Sequence, residues 1–425
     1  MNERMITPRS RGFLFLDAHP DGCRRLVEDT WAAVPQPAGG PPAGDGPVAL
    51  VIGCSAGYGL AATVAGLARA GIRGIGVCYE KGPGRRTAGA GWYRTAALAR
   101  LAREHGRDMV FLNGDAFGDQ VKTEVSRVLQ ERFGGRLDYL VYSVAAPRRT
   151  DPDTGTVYSS VLKPVGLPHR TKTLVFDPDG APDVRTVTIP PAEGDDIEQT
   201  VAVMGGADWT RWIDHLDQRG QLADGFTTAA LSYIGAPITE RVYRQGTIGA
   251  AKAHLEATAT LLDARLRASA GGRAVISVNG AAVTQSSTAV PAIALYTAIL
   301  RSVVGDRMVS PLDQLVELWD LLTSGRPLPV DPQGRVRLDD WELDGAVQAE
   351  LNRRWDAVTT QDVTTFADLD WFTTQVRQSY GFDVPGTDYG APVDVDVPWP
   401  GPPQGPQAHP AGAQAGVMPS FAQRS

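Results

Sequence analysis

Short apolar runs alternate with more polar stretches along the first third of the chain. The apolar runs are typical of strands buried on both faces of a sheet, and they occupy 48–52, 74–80, 109–112 and 137–143. The stretches between them are predicted as helices, and they occupy 60–69, 93–105 and 119–132. This alternation of strand and helix predicts an α/β fold with a doubly wound parallel sheet of the Rossmann type.

The pattern changes after the fourth predicted strand. Between about 146 and 200 the chain is rich in Pro, Asp, Thr and Lys, and apolar runs at 173–176 and 184–189 predict an inserted hairpin or flap. Alternation then resumes, with predicted helices at 208–219 and 248–269 and predicted strands at 228–233 and 274–278. We therefore expect residues 1–390 to form one elaborated domain, followed by a disordered Pro/Gly-rich tail over 391–425.

The overall composition argues against several classes of protein. A net charge of −7 is unlike the basic excess of a nucleic-acid-binding surface. Cys23, Cys54 and Cys78 contain no CxxC pair, which argues against a disulfide framework or a metal site and fits a reducing cytoplasm. The sequence shows no signal peptide and no apolar run of about 18 residues, so we expect a cytoplasmic protein without a membrane span.

A glycine-rich turn separates the first predicted strand from the first predicted helix. It reads Gly-Cys-Ser-Ala-Gly-Tyr-Gly from Gly53 to Gly59. Glycines at such a turn allow backbone N–H groups and a helix N-terminus to approach a pyrophosphate. The spacing is G-x-x-x-G-x-G, which is nearer to the short-chain dehydrogenases than to G-x-G-x-x-G. The alternative interpretation is a tight strand-to-helix turn without a ligand.

An acidic residue ends the second predicted strand. Glu80 lies there, where a carboxylate can accept hydrogen bonds from the ribose hydroxyls of NAD and repel the extra phosphate of NADP. The neighbouring Lys81, Arg85 and Arg86 could instead receive that phosphate. A solvated acid at a strand end is the alternative.

Two further turns follow predicted strands. Asp115, which precedes Ala116, could bind the adenine amino group, although a plain loop or helix-capping aspartate explains it equally well. Val144 and Ala145 are small enough to let the backbone pack against a nicotinamide ribose.

Tyr243 and Lys252 are the sharpest candidates for catalysis. They are nine residues apart, so on one continuous helix they would face opposite sides. Gly246 and Thr247 instead predict a helix start with Thr247 as the N-cap, which would let Tyr243 meet Lys252 from the preceding segment. A tyrosine hydroxyl can stabilise developing negative charge and deliver a proton, and a nearby ammonium favours its ionised form.

Other interpretations of these residues stay open at this point. Tyr233 is a second candidate donor to a substrate oxygen. Without further context, a buried structural tyrosine or a solvated helix lysine is the better explanation of Tyr243 and Lys252.

Several motifs in one order resemble a known family. They are RGFLFLDAHPDGC (11–23), GCSAGYGLA (53–61), AGAGWY (88–93), NGDAF (113–117), LVYSVAAPRR (140–149), VLKPVG (161–166), VMGGADW (203–209), the Tyr-x8-Lys of Tyr243 and Lys252, and AVTQSSTAVPAIALY (282–296). With these motifs the chain resembles the FabV-type enoyl-acyl-carrier-protein reductases and the closely similar trans-2-enoyl-CoA reductases. The resemblance runs from about residue 8 to 385.

The resemblance implies NADH-dependent reduction of the 2,3 double bond of a trans-2-enoyl thioester, in fatty acid synthesis, by a typically monomeric enzyme. It implies that Tyr243 is the proton donor, that Lys252 binds NADH and that Tyr233 contacts the substrate carbonyl. It also implies a set of cofactor contacts: Gly53, Cys54, Ser55, Ala56, Gly57, Tyr58, Tyr79, Glu80, Asp115, Ala116, Val144, Ala145, Ala282, Val283 and Thr284. The acyl carrier could be acyl-carrier protein or coenzyme A.

Some positions depart from the family pattern. Residues 239–242 read Thr-Glu-Arg-Val instead of the usual Thr-Trp-Pro-Ile, Arg244-Gln245 replaces an aromatic-acidic pair, and Gly280-Ala281 replaces a Lys-Ser pair. These changes lie near the expected acyl site, so they leave the substrate open. An enone or ketone reductase of secondary metabolism and a catalytically silent NADH-binding protein are the alternatives.

Overall fold

Parallel strands form the centre of the molecule. The structure is a computed structural model, and it describes residues 2–37, 46–177 and 180–401. The strands are β1 (Glu3–Arg4), β2 (Ser10–Arg11), β3 (Leu14–Phe15), β4 (Val48–Ile52), β5 (Arg73–Cys78), β6 (Met109–Asn113), β7 (Leu137–Tyr142), β8 (Arg148–Thr150), β9 (Val157–Ser159), β10 (His169–Phe176), β11 (Pro182–Ile189), β12 (Leu222–Ser232), β13 (Arg273–Asn279), β14 (Arg335–Leu338) and β15 (Val393–Asp394).

The helices connect and cover these strands. They are α1 (Pro20–Ala32), α2 (Gly57–Ala65), α3 (Ala90–Glu104), α4 (Asp119–Arg132), α5 (Asp196–Met204), α6 (Ala207–Asp217), α7 (Thr247–Ala270), α8 (Ile293–Val304), α9 (Pro311–Thr323), α10 (Asp340–Leu343), α11 (Gly345–Ala357), α12 (Val363–Phe366) and α13 (Leu369–Gln378). A π-helical turn at Gly66–Ala70 continues α2.

The central sheet has the predicted doubly wound topology. Within the described residues it contains seven strands in the order β14-β13-β12-β7-β4-β5-β6, and every neighbouring pair is parallel. The strand order runs outward from β4 in both directions, which places a crevice at the carboxyl ends of β4 and β7. The predicted α/β fold class is therefore confirmed.

Alternate residues of the strands pack against two different helical layers. Ala49 and Val51 of β4 belong to an apolar cluster with α2, α3 and α9, whereas Leu50 and Ile52 belong to a second cluster with α4, α6 and α7. Side chains of successive strand residues point to opposite faces, so a strand covered on both sides must be apolar throughout. This explains why VALVI is a continuous buried run.

The predicted start of the strand at 228–233 was wrong. β12 begins at Leu222 instead of 228, because its pairing with β7 shifts register between Leu222 and Thr227. Gly225 lies within this irregularity at φ +76°, in the left-handed region that favours glycine. This irregularity interrupts the apolar pattern, so the sequence does not indicate the first half of β12.

The predicted insertion contains two antiparallel hairpins, β8–β9 and β10–β11, followed by α5. The longer hairpin is tied to the C-terminal end of α11. There, the Lys172 ammonium donates hydrogen bonds to the carbonyls of Trp355, Asp356 and Val358, at 2.7, 3.0 and 2.9 Å. A cation at a helix C-terminus satisfies carbonyls that have no partner within the helix.

The predicted disordered tail begins too early. Residues 391–401 are part of the fold, because β15 pairs with β1, and Val393 and Val395 are buried. Farther along, the Trp399 ring packs on Trp92 at 4.7 Å and its Nε1 donates to the Phe111 carbonyl at 3.1 Å. The alternating Val-Asp-Val-Asp-Val pattern is the strand signal that the surrounding prolines conceal. The rest of the predicted tail, 402–425, lies outside the described residues.

Among residues 2–37, 46–177 and 180–401, no helix is long and apolar enough to cross a membrane. The same ranges contain no group of three or more His, Cys, Asp or Glu side chains arranged to hold a metal ion.

Candidate active site

The glycine-rich turn lies at the carboxyl end of β4, against the end of β7. Gly53 has φ +89°, and a Cβ added there would lie 1.9 Å from the Ser143 carbonyl oxygen. A Cβ on Gly59 would lie 2.0 Å from the Gly53 carbonyl oxygen. Ala56 precedes α2 and provides no side-chain cap, so the first N–H groups of the helix lack that partner. The turn is therefore built as a cradle for an anion such as a pyrophosphate.

A buried arginine on α3 holds the backbone of this turn. The Arg94 Nε donates to the Ser55 carbonyl at 3.0 Å and its Nη1 donates to the Ser379 carbonyl at 2.8 Å. Its Nη2 is buried and has no hydrogen-bond partner among the described residues. A guanidinium held next to a phosphate-binding turn adds positive charge where a pyrophosphate would lie. Sequence reasoning missed Arg94, because nothing local connects it with residues 53–59.

Glu80 lies between the turn and the start of α3. Its Oε1 accepts a hydrogen bond from the Ser55 hydroxyl at 2.7 Å. A Cβ on Gly91 would lie 1.9 Å from the same carboxylate oxygen, so glycine is needed for this approach. Burial raises the pKa of Glu80, although Ser55 and the Arg94 charge act in the opposite direction. The predicted neighbour Tyr79 is 64% exposed and points away from the core.

The predicted adenine loop is held by its backbone. Asp115 is exposed, and its Oδ1 accepts from the Phe117 amide at 3.0 Å, so it stabilises a local turn as one of the alternatives expected. The Ala116 carbonyl accepts from the Lys122 ammonium at 2.7 Å and from the Trp212 indole at 3.1 Å.

The lysine that holds this loop belongs to a buried ion pair. Lys122 and Asp208 are almost completely buried, and Nζ lies 2.9 Å from Oδ1. Nζ also donates to the Phe117 carbonyl at 3.1 Å and lies 4.8 Å from the centre of the Trp212 ring. The Tyr142 hydroxyl donates to the second Asp208 oxygen at 3.1 Å. The loop and the end of β7 are thus fixed by one buried network.

The late segment predicted to contact the cofactor lies over the glycine-rich turn. A Cβ on Gly57 would lie 3.3 Å from the Thr284 methyl group. The Ser287 hydroxyl donates to the Ala282 carbonyl at 2.8 Å and accepts from the Thr284 amide at 2.8 Å, which holds the segment in a tight bend. Tyr58 donates from its hydroxyl to the Gly280 carbonyl, so the turn and the segment are directly joined.

The remaining residues predicted to contact the cofactor differ in how far their side chains are exposed. Cys54 is buried, with its sulfur next to Cys78, so only its backbone can face a ligand. Val144 is half-buried and Ala145 is exposed, directly after β7. Val283 is half-buried beside the turn and packs on the apolar cluster that includes α8. These positions surround the crevice at the carboxyl edge of the sheet.

Tyr243 precedes a helix start, as predicted, but the cap was assigned to the wrong residue. α7 begins at Thr247 and its N-cap is Gly246. The Thr247 hydroxyl donates to the Val161 carbonyl, and it accepts from the Lys163 amide at 3.3 Å. Thr247 therefore fastens the helix start to the insertion instead of capping its own helix. Tyr243 lies in the turn before α7, and Lys252 lies within the second turn of the helix.

The structure brings Tyr243 and Tyr233 together. Their rings pack edge to face, with centroids 5.0 Å apart. Among the described residues, no hydrogen bond joins the Tyr243 hydroxyl to Lys252. Burial and the negative charge of Glu342 raise the pKa of Tyr243, and this direction is opposite to the one expected from the Lys252 ammonium. Burial also lowers the pKa of Lys252 to about 8, against the opposing charge of Glu256.

A buried glutamate from the C-terminal part of the chain accepts a hydrogen bond from the candidate Tyr233. Glu342 Oε1 accepts from the Tyr233 and Tyr296 hydroxyls at 2.8 and 2.6 Å, and Oε2 accepts from the Ala281 amide at 2.5 Å. Burial raises the pKa of Glu342 to about 7. The sequence pattern DDWELD is typical of a solvated helix start, so nothing local marks Glu342 as buried.

Three family models match the chain in sequence order. Residues 5–85 match the NAD(P)H binding domain of trans-2-enoyl-CoA reductase, residues 86–322 match the catalytic region of that enzyme, and residues 330–393 match an enoyl reductase FAD binding domain. An enoyl-[acyl-carrier-protein] reductase [NADH] of Streptomyces avermitilis is 57% identical over 395 residues, which is 93% of this chain and 100% of that protein. The chain belongs to this family. A protein of the same name from Flavobacterium johnsoniae is 42% identical over 92% of this chain and 98% of its own.

Solved structures of the same family have the same fold. The trans-2-enoyl-CoA reductase of Clostridium acetobutulicum in complex with NADH has a TM-score of 0.85 at 32% identity, covering 93% of this chain and 98% of its own. The Treponema denticola enzyme in complex with NAD has a TM-score of 0.83 at 37% identity, covering 92% and 98%. The suspected resemblance is therefore confirmed.

The segment that matches an FAD binding domain does not form a second nucleotide cradle. After β14 the chain enters α10 directly through Asp339, Asp340 and Glu342, and acids at a helix start repel phosphate. In the described part of 330–393, no glycine-rich turn joins a strand to a helix. These residues do not fit a flavin dinucleotide. They instead support the site described above through Glu342 and Ser379.

Proposed function

We propose that this family member, an NADH-dependent reductase of enoyl thioesters, uses Tyr243 as the acid that serves the thioester oxygen. The observation that carries the proposal is the position of Tyr243. It lies in the turn before α7, with its ring against Tyr233, and no described protein group hydrogen-bonds to its hydroxyl. A hydroxyl without a protein partner is available to a substrate oxygen in the same crevice.

The residues around the crevice fit NADH. The turn from Gly53 and the start of α2 would hold the pyrophosphate, with Arg94 adding positive charge. Glu80 would accept the adenosine ribose hydroxyls, and Lys252 would hold the nicotinamide ribose. NADH supplies the hydride that reduces the double bond. The protein orients the two reactants and excludes water from the site.

The protein must stabilise the charge that forms on the thioester oxygen. Adding hydride to Cβ of an enoyl thioester produces an enolate, and a hydroxyl directed at its oxygen stabilises it and can pass on a proton. The raised pKa of Tyr243 keeps the hydroxyl protonated before the reaction. Tyr243 is therefore an acid that holds its proton until negative charge develops next to it.

We propose acyl-carrier protein as the carrier and fatty acid synthesis as the pathway, in a monomeric enzyme of the cytoplasm. The support is the enoyl-[acyl-carrier-protein] reductase of Streptomyces avermitilis, whose full length matches 93% of this chain. The test compares kcat/KM for the same enoyl group on acyl-carrier protein and on coenzyme A, followed by the loss of NADH absorbance. A higher value on coenzyme A would overturn the choice of carrier, and no turnover on either would overturn the proposed reaction.

The affinity for NADH is expected to fall at alkaline pH. If the Lys252 ammonium holds the ribose, binding weakens as pH rises through about 8, because the lowered pKa of Lys252 releases its proton there. Lys252→Arg keeps its charge over this range and should bind NADH more weakly but without the alkaline loss. Titration of NADH fluorescence from neutral to alkaline pH measures both. Lys163→Arg, at a lysine paired with Asp196 at 2.8 Å, is the control that should titrate like the parent.

Preference for NADH over NADPH is expected to depend on the charge of Glu80. Glu80→Gln should raise kcat/KM for NADPH relative to NADH by about tenfold, which is ~1.4 kcal/mol, because a 2′-phosphate no longer meets a carboxylate. Lys81, Arg85 and Arg86 are exposed nearby and can receive it. Ser55→Ala removes the hydroxyl that binds Glu80 but keeps the charge, so its preference should stay with NADH. An equal change in both variants would contradict an electrostatic origin.

A further inference from the structure

The carboxylate of Glu342 connects the candidate Tyr233 with the Ala281 backbone and with Tyr296. It is completely buried, and three donors from three separate elements converge on it: the Tyr233 hydroxyl after β12, the Ala281 amide after β13 and the Tyr296 hydroxyl of α8. The Gln348 side chain donates to the Glu342 main-chain carbonyl at 2.7 Å and fixes the short helix that carries it. Glu342 belongs to none of the sequence motifs that resemble the family.

The hydrogen bond from Tyr233 to Glu342 limits what the Tyr233 hydroxyl can do for a substrate. A tyrosine hydroxyl has one proton, so Tyr233 cannot donate it to Glu342 and to a thioester oxygen at the same time. An ionised Glu342 accepts all three donors and keeps the Tyr233 proton directed into the protein. Tyr243, which packs against Tyr233, is then the hydroxyl left for the substrate.

A protonated Glu342 would reverse the direction of the Tyr233 hydrogen bond. Its new O–H must find an acceptor, and Oε1 faces the oxygens of Tyr233 and Tyr296. Tyr296 is fully buried, and the acceptors that its described contacts offer to its proton are Glu342 and the Tyr233 oxygen, so Tyr296 keeps donating. The half-buried Tyr233 is the hydroxyl that can accept from Glu342 instead, and once it accepts, its own proton is released from Glu342 and can point into the crevice.

We propose that Glu342 is a positioning residue of the reductase, which sets whether the hydroxyl proton of Tyr233 points into the protein or towards the thioester oxygen. This inference rests on the proposed function for its consequence in catalysis, but the change in hydrogen bonding itself needs no turnover. The pKa of about 7 given to Glu342 by burial places both states within reach near neutral pH.

Several other groups influence this carboxylate. Asp339 faces it with a like charge, and that charge is itself paired with Arg337 at 2.7 Å. Tyr58 and Tyr243 also face it, and its negative charge raises the pKa of both hydroxyls. Because burial raises the pKa values of these tyrosines and of Tyr233 and Tyr296, Glu342 is the group in this cluster expected to titrate near neutrality.

The direct test follows the tyrosine hydroxyls in the ligand-free enzyme. Tyrosines are labelled with carbon-13 at the ring carbon that bears the hydroxyl, and their NMR resonances are followed through neutral pH. We expect the Tyr233 resonance, assigned by its loss in Tyr233→Phe, to shift with an apparent pKa near 7 and to stop shifting in Glu342→Gln. Tyr93, bonded to Ala88 and Val395 away from this cluster, is the internal control that should not shift. A Tyr233 resonance that behaves alike in both proteins would overturn the proposal.

A second variant keeps the test decisive if Glu342→Gln does not fold. Tyr296→Phe removes one donor from the ionised carboxylate, which destabilises the charged form. The Tyr233 titration should therefore move to higher pH in Tyr296→Phe. An unchanged titration would show that Tyr233 responds to some other group.

The kinetic test asks whether Glu342 acts through Tyr233. In Glu342→Gln, the amide oxygen must face the Ala281 N–H, so the amide nitrogen faces the Tyr233 oxygen and donates to it at every pH. With NADH saturating at every pH, we expect kcat/KM for an enoyl thioester to fall through neutral pH in the parent and to stay level in the variant, which becomes about tenfold faster or more on the alkaline side. In a Tyr233→Phe background the same substitution should lose this alkaline gain, leaving only the smaller effect of the missing Glu342 charge on Tyr243. Equal effects in both backgrounds would overturn the proposal, and absence of turnover in the parent would instead refute the proposed function.

Discussion

Tyr243→Phe is expected to lower kcat for an enoyl thioester by about 10²–10⁴-fold, the usual contribution of a positioned acid, while the dissociation constant of NADH stays close to that of the parent. The substitution removes only the hydroxyl, and among the described residues that hydroxyl makes no hydrogen bond within the protein. The ring keeps its edge-to-face contact with Tyr233. The loss should appear in single-turnover rates of NADH oxidation, and it should leave the unfolding temperature unchanged.

The control for this experiment is the neighbouring tyrosine. Tyr233→Phe removes a hydroxyl that donates to Glu342 at 2.8 Å, so it should destabilise the protein measurably and should reduce turnover less than Tyr243→Phe. If Tyr243→Phe lost NADH binding and turnover in equal measure, its hydroxyl would have a structural role. If Tyr233→Phe lost more turnover than Tyr243→Phe, the two roles would have to be exchanged.

The central sheet could be predicted from the sequence because its strands are covered on both faces. Such strands leave continuous apolar runs, and β4 and α4 begin and end where those runs and the intervening polar stretches indicate. The glycine-rich turn was equally readable, because its glycines are required by local backbone contacts at Gly53 and Gly59. Features that depend on contacts between residues close in the chain can therefore be recognised in the sequence.

Residues that act through distant partners left no such signal. Glu342 bonds to Tyr233, 109 residues away, and to Ala281, 61 residues away, and its own surroundings in the sequence are acidic and polar. Arg94 supports a turn 39 residues away. A charged residue in a polar stretch is most often solvated, so only the tertiary fold reveals that these two are buried. The same reasoning explains the tail, where the pairing of β15 with β1 joins opposite ends of the chain.

Lys122→Met is expected to cause the largest loss of stability, because it leaves Asp208 buried without its cation. Removing one partner of a buried ion pair costs about 3–5 kcal/mol, since the remaining charge keeps its desolvation penalty. The unfolding temperature, measured by calorimetry, should fall by several degrees. This decrease should be larger than the decrease caused by Arg127→Met, which breaks the exposed pair of Arg127 with Glu124.

The double variant Lys122→Met, Asp208→Asn separates two roles of Lys122: neutralising Asp208 and holding the carbonyls of the Ala116 loop. Neutralising Asp208 removes the unpaired charge, so most of the lost stability should return. Lys122→Met should also weaken NADH binding, and the double variant should not restore it, because the carbonyls of Ala116 and Phe117 still lack the ammonium that holds the loop. Recovery of both properties together would mean that Lys122 serves only the ion pair and that the loop needs no support. Recovery of stability alone would show that the bonds from Lys122 to the Ala116 and Phe117 carbonyls, and not the ion pair with Asp208, support the cofactor site.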